Sequence, residues 1–547
     1  MFASLAVLSA LTLSTACVEE PVSDIPDHLT LLSPREQLIR VSVDLRGVHP
    51  SEADLDRIDQ NPNLYSDFVD RYIDDERFLN RASVILNTRM LVRTGDIELD
   101  PMALGIAMSP EEAARHTNEE PLALARHIIA EDLPWSDIVM ADYTMADPVT
   151  AAMWDIEIPE DAQGWVPGTY RDERPHAGIL SMTTLWTRYP SAGVNQNRHR
   201  ANAISMMLLC DDYLARPVSF SRTQIDALTS GDPEDVIAQT PACQSCHSSL
   251  DPLAAHFYGF WWDQDDMAPA ELQILYRPED EPLWEYGAGL EPAWQGMPTT
   301  DLVELAEGLA EERRFSQCAV QTFWEGLTQR TVVDADWDEL ARHEQAFLDS
   351  EMSIKTLVRS VVLSPEYLAD SSSDPEVAAR LVNVKTVQPD QLESVMRDIT
   401  GYEWMFDGIR GLERSDLMVL GGGIDSRDVA APSHDPSVAR VFIQERLAQS
   451  SAFDVATHDL DPEREAPARM LTHVDSSSRP DKDPELFKAQ ICDLYLQATG
   501  LPLRDDAPEV ELLTTLWREL WSVQEDPVDA WAGVIAVVLR DPRILLY

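Results

Sequence analysis

Apolar residues along this chain recur mostly with the spacing of amphipathic helices. They repeat at intervals of three and four within residues 302–309 and again within 357–362, which places them on one face of a helix. Segments that alternate apolar and polar residues over the length of a strand are scarce. We therefore predict a mainly α, multi-domain helical protein with its prolines in loops.

Three segments, Gln37–Leu79, Gln321–Leu368 and Leu494–Leu545, share one pattern. Each reads as an apolar helix, a polar turn, a helix rich in leucine and acidic residues, and a final apolar helix. Each closes on a similar tetrapeptide: DERF, SPEY or DPRI. The pattern is either an internal repeat or the general similarity of helix-turn-helix segments. As a repeat, it predicts three-helix modules that act as scaffold on both sides of the middle of the chain.

The net charge of the chain limits the classes of partner that it can bind. The chain carries 96 Asp and Glu against 42 Lys and Arg, a formal net charge of −54. Such a surface repels nucleic-acid phosphates and anionic lipids, so we expect no nucleic-acid partner. A basic partner, abundant cations or general solubility in a saline medium all suit this composition.

The first residues, MFASLAVLSALTLSTACVEE, have the pattern of an export signal. An apolar run from Phe2 to Leu13 is followed by small residues and Cys17, which resembles a bacterial lipobox. Plain cleavage after Ala16 and a buried helix of the mature protein are the alternatives. We expect export to the periplasm, outer membrane or cell surface of a bacterium, with Cys17 lipidated as the one membrane attachment.

The strongest chemical signal is TPACQSCH, which holds Cys243, Cys246 and His247. Cys-x-x-Cys-His is the attachment signature of haem c: the two thiols bind the vinyl groups, and the histidine ligates the iron. A four-thiolate zinc site requires a second Cys-x-x-Cys, which the sequence lacks. A thioredoxin-like pair belongs in a βαβ unit, and the strand pattern is missing. The other interpretations are a disulfide, another metal, or chance.

The surroundings of the motif suggest a cofactor pocket. Five aromatic residues lie within fifteen positions of His247, and flat apolar side chains suit a porphyrin edge, although such clusters are also common in ordinary cores. They are Phe257, Tyr258, Phe260, Trp261 and Trp262. Met297 is the candidate distal iron ligand, with His256 and Met267 as rivals and an open position as a further alternative.

Export also bears on the remaining cysteines, because thiols outside the cytoplasm tend to be oxidised. With Cys243 and Cys246 assigned to a cofactor, Cys210 and Cys318 are candidates for a disulfide, which leaves Cys492 over. Sequence alone does not fix this connectivity.

Three stretches resemble planctomycete-type and myxobacterial-type cytochrome c-like proteins, in which domains of unknown function surround one Cys-x-x-Cys-His. They are the two runs HAGILSMTTLW and NRHRANAISMMLLCDDYLARP, then CQSCHSSLDPLAAHFYGF, then LVELAEGLAEERRFSQCAVQTFWEGLTQR. The early RVSVDLRGVHPSEADL resembles a companion domain of such proteins. Ala254-Ala255 stands where the family often has Gly-Phe, and a methionine such as Met297 is not a fixed family feature. The resemblance implies an exported haem c protein.

These observations divide the chain into a signal peptide (1–17), an N-terminal helical domain (18–165), a cytochrome c-like domain with a helical module (166–370) and a C-terminal helical domain (371–547). Linkers are expected at Ala369–Glu376 and His473–Glu485, where Ser, Asp and Pro cluster. The leading functional hypothesis is electron transfer by a single haem c to an unknown, basic redox partner. A haem-dependent, peroxidase-like oxidoreductase and a cell-surface scaffold with a disulfide at Cys243 and Cys246 are the alternatives.

Overall fold

The computed structural model describes residues 25–547 apart from 98, 193–194, 218, 220, 223–225, 227–235, 238, 261–274, 288, 407 and 505. Within this part the chain is mainly helical, so the predicted fold class is confirmed. Its α-helices are Pro34–Arg46, Glu52–Gln60, Tyr65–Ile73, Glu76–Met90, Pro110–Thr117, Glu120–Ala130, Asp137–Met140, Pro148–Trp154, Thr183–Arg188, Arg198–Leu209, Pro241–Ala254, Leu302–Glu311, Arg313–Thr328, Trp337–Asp349, Ile354–Val362, Pro365–Leu368, Pro375–Ala378, Pro389–Thr400, Ser415–Leu420, Val438–Leu460, Pro484–Thr499, Pro508–Gln524 and Pro527–Val538.

The strands are short and antiparallel. Their bounds are β1 Leu29–Leu31, β2 Thr144–Ala146, β3 Ile156–Glu157, β4 Val166–Tyr170, β5 Ala293–Trp294, β6 Met297–Pro298, β7 Ala369–Ser372, β8 Met405–Phe406 and β9 Ile409–Arg410. They form a three-stranded sheet in the order β2-β4-β3 and the pairs β1-β7, β5-β6 and β8-β9. Among the described residues, no helix combines the length and the apolar character needed to cross a bilayer.

Buried apolar side chains form two cores. The first contains residues from Leu38 to Leu368, and the second contains residues from Val387 to Leu545. The boundary placed at 370/371 falls between these cores. The boundary placed at 165/166 falls inside the first core, since β4 begins there and pairs with β2 and β3 from the preceding segment. The described residues of 25–165 and of 166–370 therefore share one hydrophobic interior.

Each of the three similar segments runs through three successive helices and closes on the start of a further helical turn. The shared closing tetrapeptide has the same local role each time, because its first residue caps the next helical turn. The side chains of Asp75, Ser364 and Asp541 accept hydrogen bonds from backbone amides two or three residues further on. This capping satisfies an amide that has no partner within the helix, which accounts for the similarity of the three turns.

One predicted linker is instead a structural element. Residues 369–372 form β7, which pairs with β1 near the start of the described chain, and Pro375–Ala378 is a short helix capped by Asp374. Ser and Asp give this strand no apolar alternation, so its pairing comes from backbone hydrogen bonds to a segment more than 300 residues earlier in the sequence. Sequence periodicity does not detect a strand of this kind.

Candidate functional site

The motif residues lie on one helix, Pro241–Ala254 (the motif helix), which begins with proline at its first position. Proline suits this position because its missing amide hydrogen has no helical partner there. Cys243, Cys246 and His247 are spaced i, i+3 and i+4, so their side chains emerge from neighbouring positions on one face. The motif thus presents two sulfurs and one imidazole in the same direction.

Both motif cysteines are thiols in the structure rather than members of a disulfide. Cys243 is buried, Cys246 is half-buried, and the His247 side chain is 21% exposed. Reduced sulfurs are what covalent attachment requires, since a thioether forms from a thiol. Two thiols and a partly accessible imidazole on one face of a helix suit a covalently held haem.

His247 is oriented by a carboxylate on the next turn. Its Nδ1 lies 2.9 Å from Oδ1 of Asp251, and Arg198 donates to both oxygens of the same carboxylate at 2.8 and 3.1 Å. Burial raises the pKa of Asp251, but hydrogen bonds from His247 and Arg198 outweigh it and hold the pKa below its ordinary value. The carboxylate therefore stays ionised, and with Nδ1 donating to it, the Nε2 lone pair is available to a metal.

A disulfide fixes the helix on which the motif helix packs. Cys210 ends the helix Arg198–Leu209, and Cys318 lies in the helix Arg313–Thr328; the two sulfurs are bonded across a separation of 108 residues. This is the pairing that the sequence offered as a candidate. It joins Arg198–Leu209, whose first residue reaches Asp251, to the helical module that follows the motif.

The described aromatic residues Phe257 and Phe260, which follow the motif, pack against other side chains of the first core. Phe257 and Phe260 are fully buried, with ring centroids 4.7 and 5.6 Å from that of Trp186. The buried Arg200 guanidinium donates to the carbonyl oxygens of both phenylalanines. These rings belong to the first core, whereas Trp261 and Trp262 lie outside the described residues.

The candidates for the distal ligand differ in their surroundings. Met297 is in β6, and its side chain is exposed: the residue retains 70% of its accessible surface. Both ring nitrogens of His256 are engaged, Nδ1 with the Leu253 carbonyl at 3.1 Å and Nε2 with the Thr299 hydroxyl at 2.5 Å. Met267 lies outside the described residues, as does Cys17. Met297 stays a prediction for the form that carries haem.

Within the described ranges, no group of three or more His, Cys, Asp or Glu side chains is arranged to hold a metal ion. No family model, curated protein or solved structure matches this chain. The function must therefore be argued from the motif helix and its contacts.

The sequence pointed to Cys243, Cys246 and His247 but not to the pair that orients the histidine. Asp251 was noted only as part of an Asp-Pro-Leu run, and Arg198 as part of a basic helix start. The sequence does contain one signal for the contact between Asp251 and His247. Asp251 follows His247 by four residues and so lies beside it on a helix. The approach of Arg198, 53 residues earlier, requires the fold.

Proposed function

We propose that this protein is an exported, monohaem c-type protein that transfers electrons. Cys243 and Cys246 would hold the haem through thioethers, and His247 would be the proximal iron ligand. The observation that carries this proposal is the motif helix itself, where two free thiols and a carboxylate-oriented imidazole share one face. The family resemblance of the sequence supports the same class of protein.

Attachment needs only the two thiols and the two vinyl groups. Each thiol would add across one vinyl double bond, so that a sulfur–carbon bond would form and the thiol hydrogen would end on the neighbouring vinyl carbon. No electrons are removed and no atom leaves, which makes the reduced state of Cys243 and Cys246 a requirement. A disulfide between the two cysteines would prevent the addition.

When bound, the haem supplies a one-electron iron couple. The protein's own contribution is to hold and tune the axial imidazole. Asp251 accepts a hydrogen bond from Nδ1 of His247, which raises the basicity of Nε2 and would favour oxidised iron if the haem is bound. Arg198 fixes the carboxylate in turn, so the imidazole orientation depends on two helices rather than one.

We place the protein outside the cytoplasm with a lipid on Cys17 as its membrane attachment. A surface with a net charge of −54 suits a basic redox partner, because opposite charges speed encounter. A peroxidase-like activity is the second candidate if the iron has an open position. The spin state separates the two functions: low-spin, six-coordinate iron favours electron transfer, and high-spin iron favours catalysis.

The attachment is tested with single variants made in a bacterial host that matures c-type cytochromes. We expect Cys246→Ala to lose most covalent haem in a haem stain after denaturing electrophoresis, and Cys243→Ala to behave similarly. Cys492→Ala, in the helix Pro484–Thr499, is the matched control and should keep the wild-type stain. Stoichiometric covalent haem in Cys246→Ala would overturn the two-thioether attachment.

A further inference from the structure

A cleft of about 1120 Å³ lies between the two cores, away from the motif residues. Its walls come from the first core, including the helices Glu76–Met90 and Pro110–Thr117, and from the second, including the helix Pro389–Thr400. None of Cys243, Cys246 and His247 lines it. Clefts between structural units are common ligand sites, and this volume is slightly above the usual range for small-ligand pockets.

The charge of the cleft is opposite to that of the whole protein. Ten arginine side chains and six acidic side chains line its described walls, although acidic residues outnumber basic ones by 96 to 42 in the chain. All of the lining cations are arginines, whose planar guanidinium matches carboxylate and phosphate groups. The cleft is therefore a local electropositive surface on a strongly acidic protein.

Ion pairs with acidic residues hold several of these arginines in place. Arg93 and Arg126 share the single carboxylate of Glu119 and lower its pKa to about 2, although burial alone would raise that pKa. Arg81 from the first core pairs with Asp390 from the second. Because two guanidinium groups share one carboxylate, the group formed by Arg93, Arg126 and Glu119 retains excess positive charge.

Two further arginines make no hydrogen bond or close ion pair to a carboxylate within the described residues. Arg115 is exposed, and its guanidinium donates only to the backbone oxygen of Glu111 at 3.3 Å. Arg397 is half-buried, and its guanidinium makes no hydrogen bond or ion pair to any residue of the described ranges. They come from different cores, so that a ligand reaching both would span the cleft.

A buried acidic group supplies an independent sign of a ligand. Glu393 lines the cleft, is only 6% exposed, and its Oε1 has no hydrogen-bond partner. A buried polar atom without a partner costs free energy, and a ligand oxygen that accepts a hydrogen bond from a protonated Glu393 would satisfy it. The half-buried ring of Trp165 adds a flat apolar surface to the same cleft.

We propose that the cleft binds an extended organic anion that carries several carboxylate or phosphate groups. Arg115 and Arg397 bind its terminal oxyanions, Glu393 hydrogen-bonds to an oxygen between them, and Trp165 contacts its carbon frame. A simple inorganic anion would leave most of the cleft volume of about 1120 Å³ unused. This site is separate from the motif helix and does not depend on the haem assignment.

The test is calorimetric titration of the full chain with trigalacturonate, which carries three carboxylates on a sugar frame, and with inositol hexakisphosphate, which carries its phosphates on a carbon ring. Maltotriose is the neutral probe. We expect at least one anionic probe to bind at micromolar to millimolar concentration in low salt, with weaker binding in higher salt, and no binding of maltotriose. Preference between the two probes distinguishes carboxylate from phosphate ligands.

Arg397→Gln and Arg115→Gln should each weaken binding about tenfold, the loss expected for one charge-assisted contact. Arg504→Gln is the matched control, because its side chain is 85% exposed in the second half of the chain. The proposal is overturned if neither anionic probe binds at millimolar concentration. It is also overturned if both Arg397→Gln and Arg115→Gln bind the probes as the wild type and the Arg504→Gln control do.

Discussion

Nδ1 of His247 lies 2.9 Å from Oδ1 of Asp251, one helical turn further along the motif helix. This contact makes the carboxylate part of the proposed iron site, although it does not touch the metal. It also explains why the imidazole is partly accessible yet held in one orientation, since Asp251 is itself fixed by Arg198. The relationship leads to a prediction about redox potential.

Asp251→Asn should raise the reduction potential of the haem protein by about 40 mV, which corresponds to about 1 kcal/mol for a one-electron couple. The physical reason is that an amide is a weaker acceptor for Nδ1 than a carboxylate, so the imidazole stabilises oxidised iron less. Spectroelectrochemical titration measures the change. Covalent haem content should stay at the wild-type level.

Asp481→Asn is the control for that experiment. Asp481 also pairs with an arginine, Arg518, but its side chain is 85% exposed and belongs to the C-terminal half. If both variants shift the potential equally, or if Asp251→Asn leaves it unchanged, Asp251 does not tune the metal.

The disulfide between Cys210 and Cys318 should contribute strongly to stability. It closes a separation of 108 residues, and a loop of this size corresponds to about 2–5 kcal/mol. We expect the double variant Cys210→Ser/Cys318→Ser to lose free energy of unfolding in this range in urea titration. Cys492→Ser should change it by less than about 1 kcal/mol, and an equal effect of both would contradict a bond between Cys210 and Cys318.

A buried ion pair links the first core to the chain that enters the second. Nζ of Lys385 lies 2.5 Å from Oδ2 of Asp44, and both side chains are 2% exposed. Lys385→Met should lower the free energy of unfolding by about 3–5 kcal/mol, because it leaves a buried carboxylate without its cation. Adding Asp44→Asn should recover part of the loss. Lys355→Met, which breaks a more exposed pair with Asp74, should cost less than about 1 kcal/mol.

Glu393 should make stability depend on pH. Burial raises its pKa from 4.5 to about 7; Glu413 adds to the rise, and Arg410, Arg397 and the backbone amide of Leu412 oppose it. The folded protein thus holds a proton that the unfolded chain releases near pH 4.5, so this contribution is complete below pH 4.5 and is lost as pH rises through 7.

Glu393→Gln removes that ionisation. Relative to wild type, the variant should unfold with similar free energy at pH 5 and with about 1–3 kcal/mol more at pH 8. Urea titrations at the two pH values measure the difference. Equal effects of the substitution at pH 5 and pH 8 would show that Glu393 has an ordinary pKa.

Local patterns in the sequence were sufficient to predict these helices and to locate the Cys-x-x-Cys-His motif. The buried residues Leu302, Leu305 and Leu309 lie in the helix Leu302–Glu311, and Leu357 and Val361 lie in Ile354–Val362, as their spacing predicts. Helix periodicity and short motifs are encoded within a few residues, which is why one sequence reveals them.

Contacts between distant segments were not predictable in the same way. Arg115 and Arg397 line the same cleft, although 282 positions separate them in the sequence. Neither arginine lies in a local sequence pattern that marks a site. The interior shared by the described residues of 25–165 and of 166–370 includes the pairing of β4 with β2, again a non-local contact. The sequence therefore pointed to Cys243, Cys246 and His247 but not to Asp251 and Arg198, whose contact with the histidine depends on the fold.

The most direct test of the central claim is the intact mass and visible spectrum of the protein purified from a host that matures c-type cytochromes. The account predicts a red protein whose mass exceeds that of the processed polypeptide, with any acyl groups, by one haem, and whose colour stays with the denatured chain. A colourless protein from that host, with the mass of the processed polypeptide and any acyl groups alone, would contradict it.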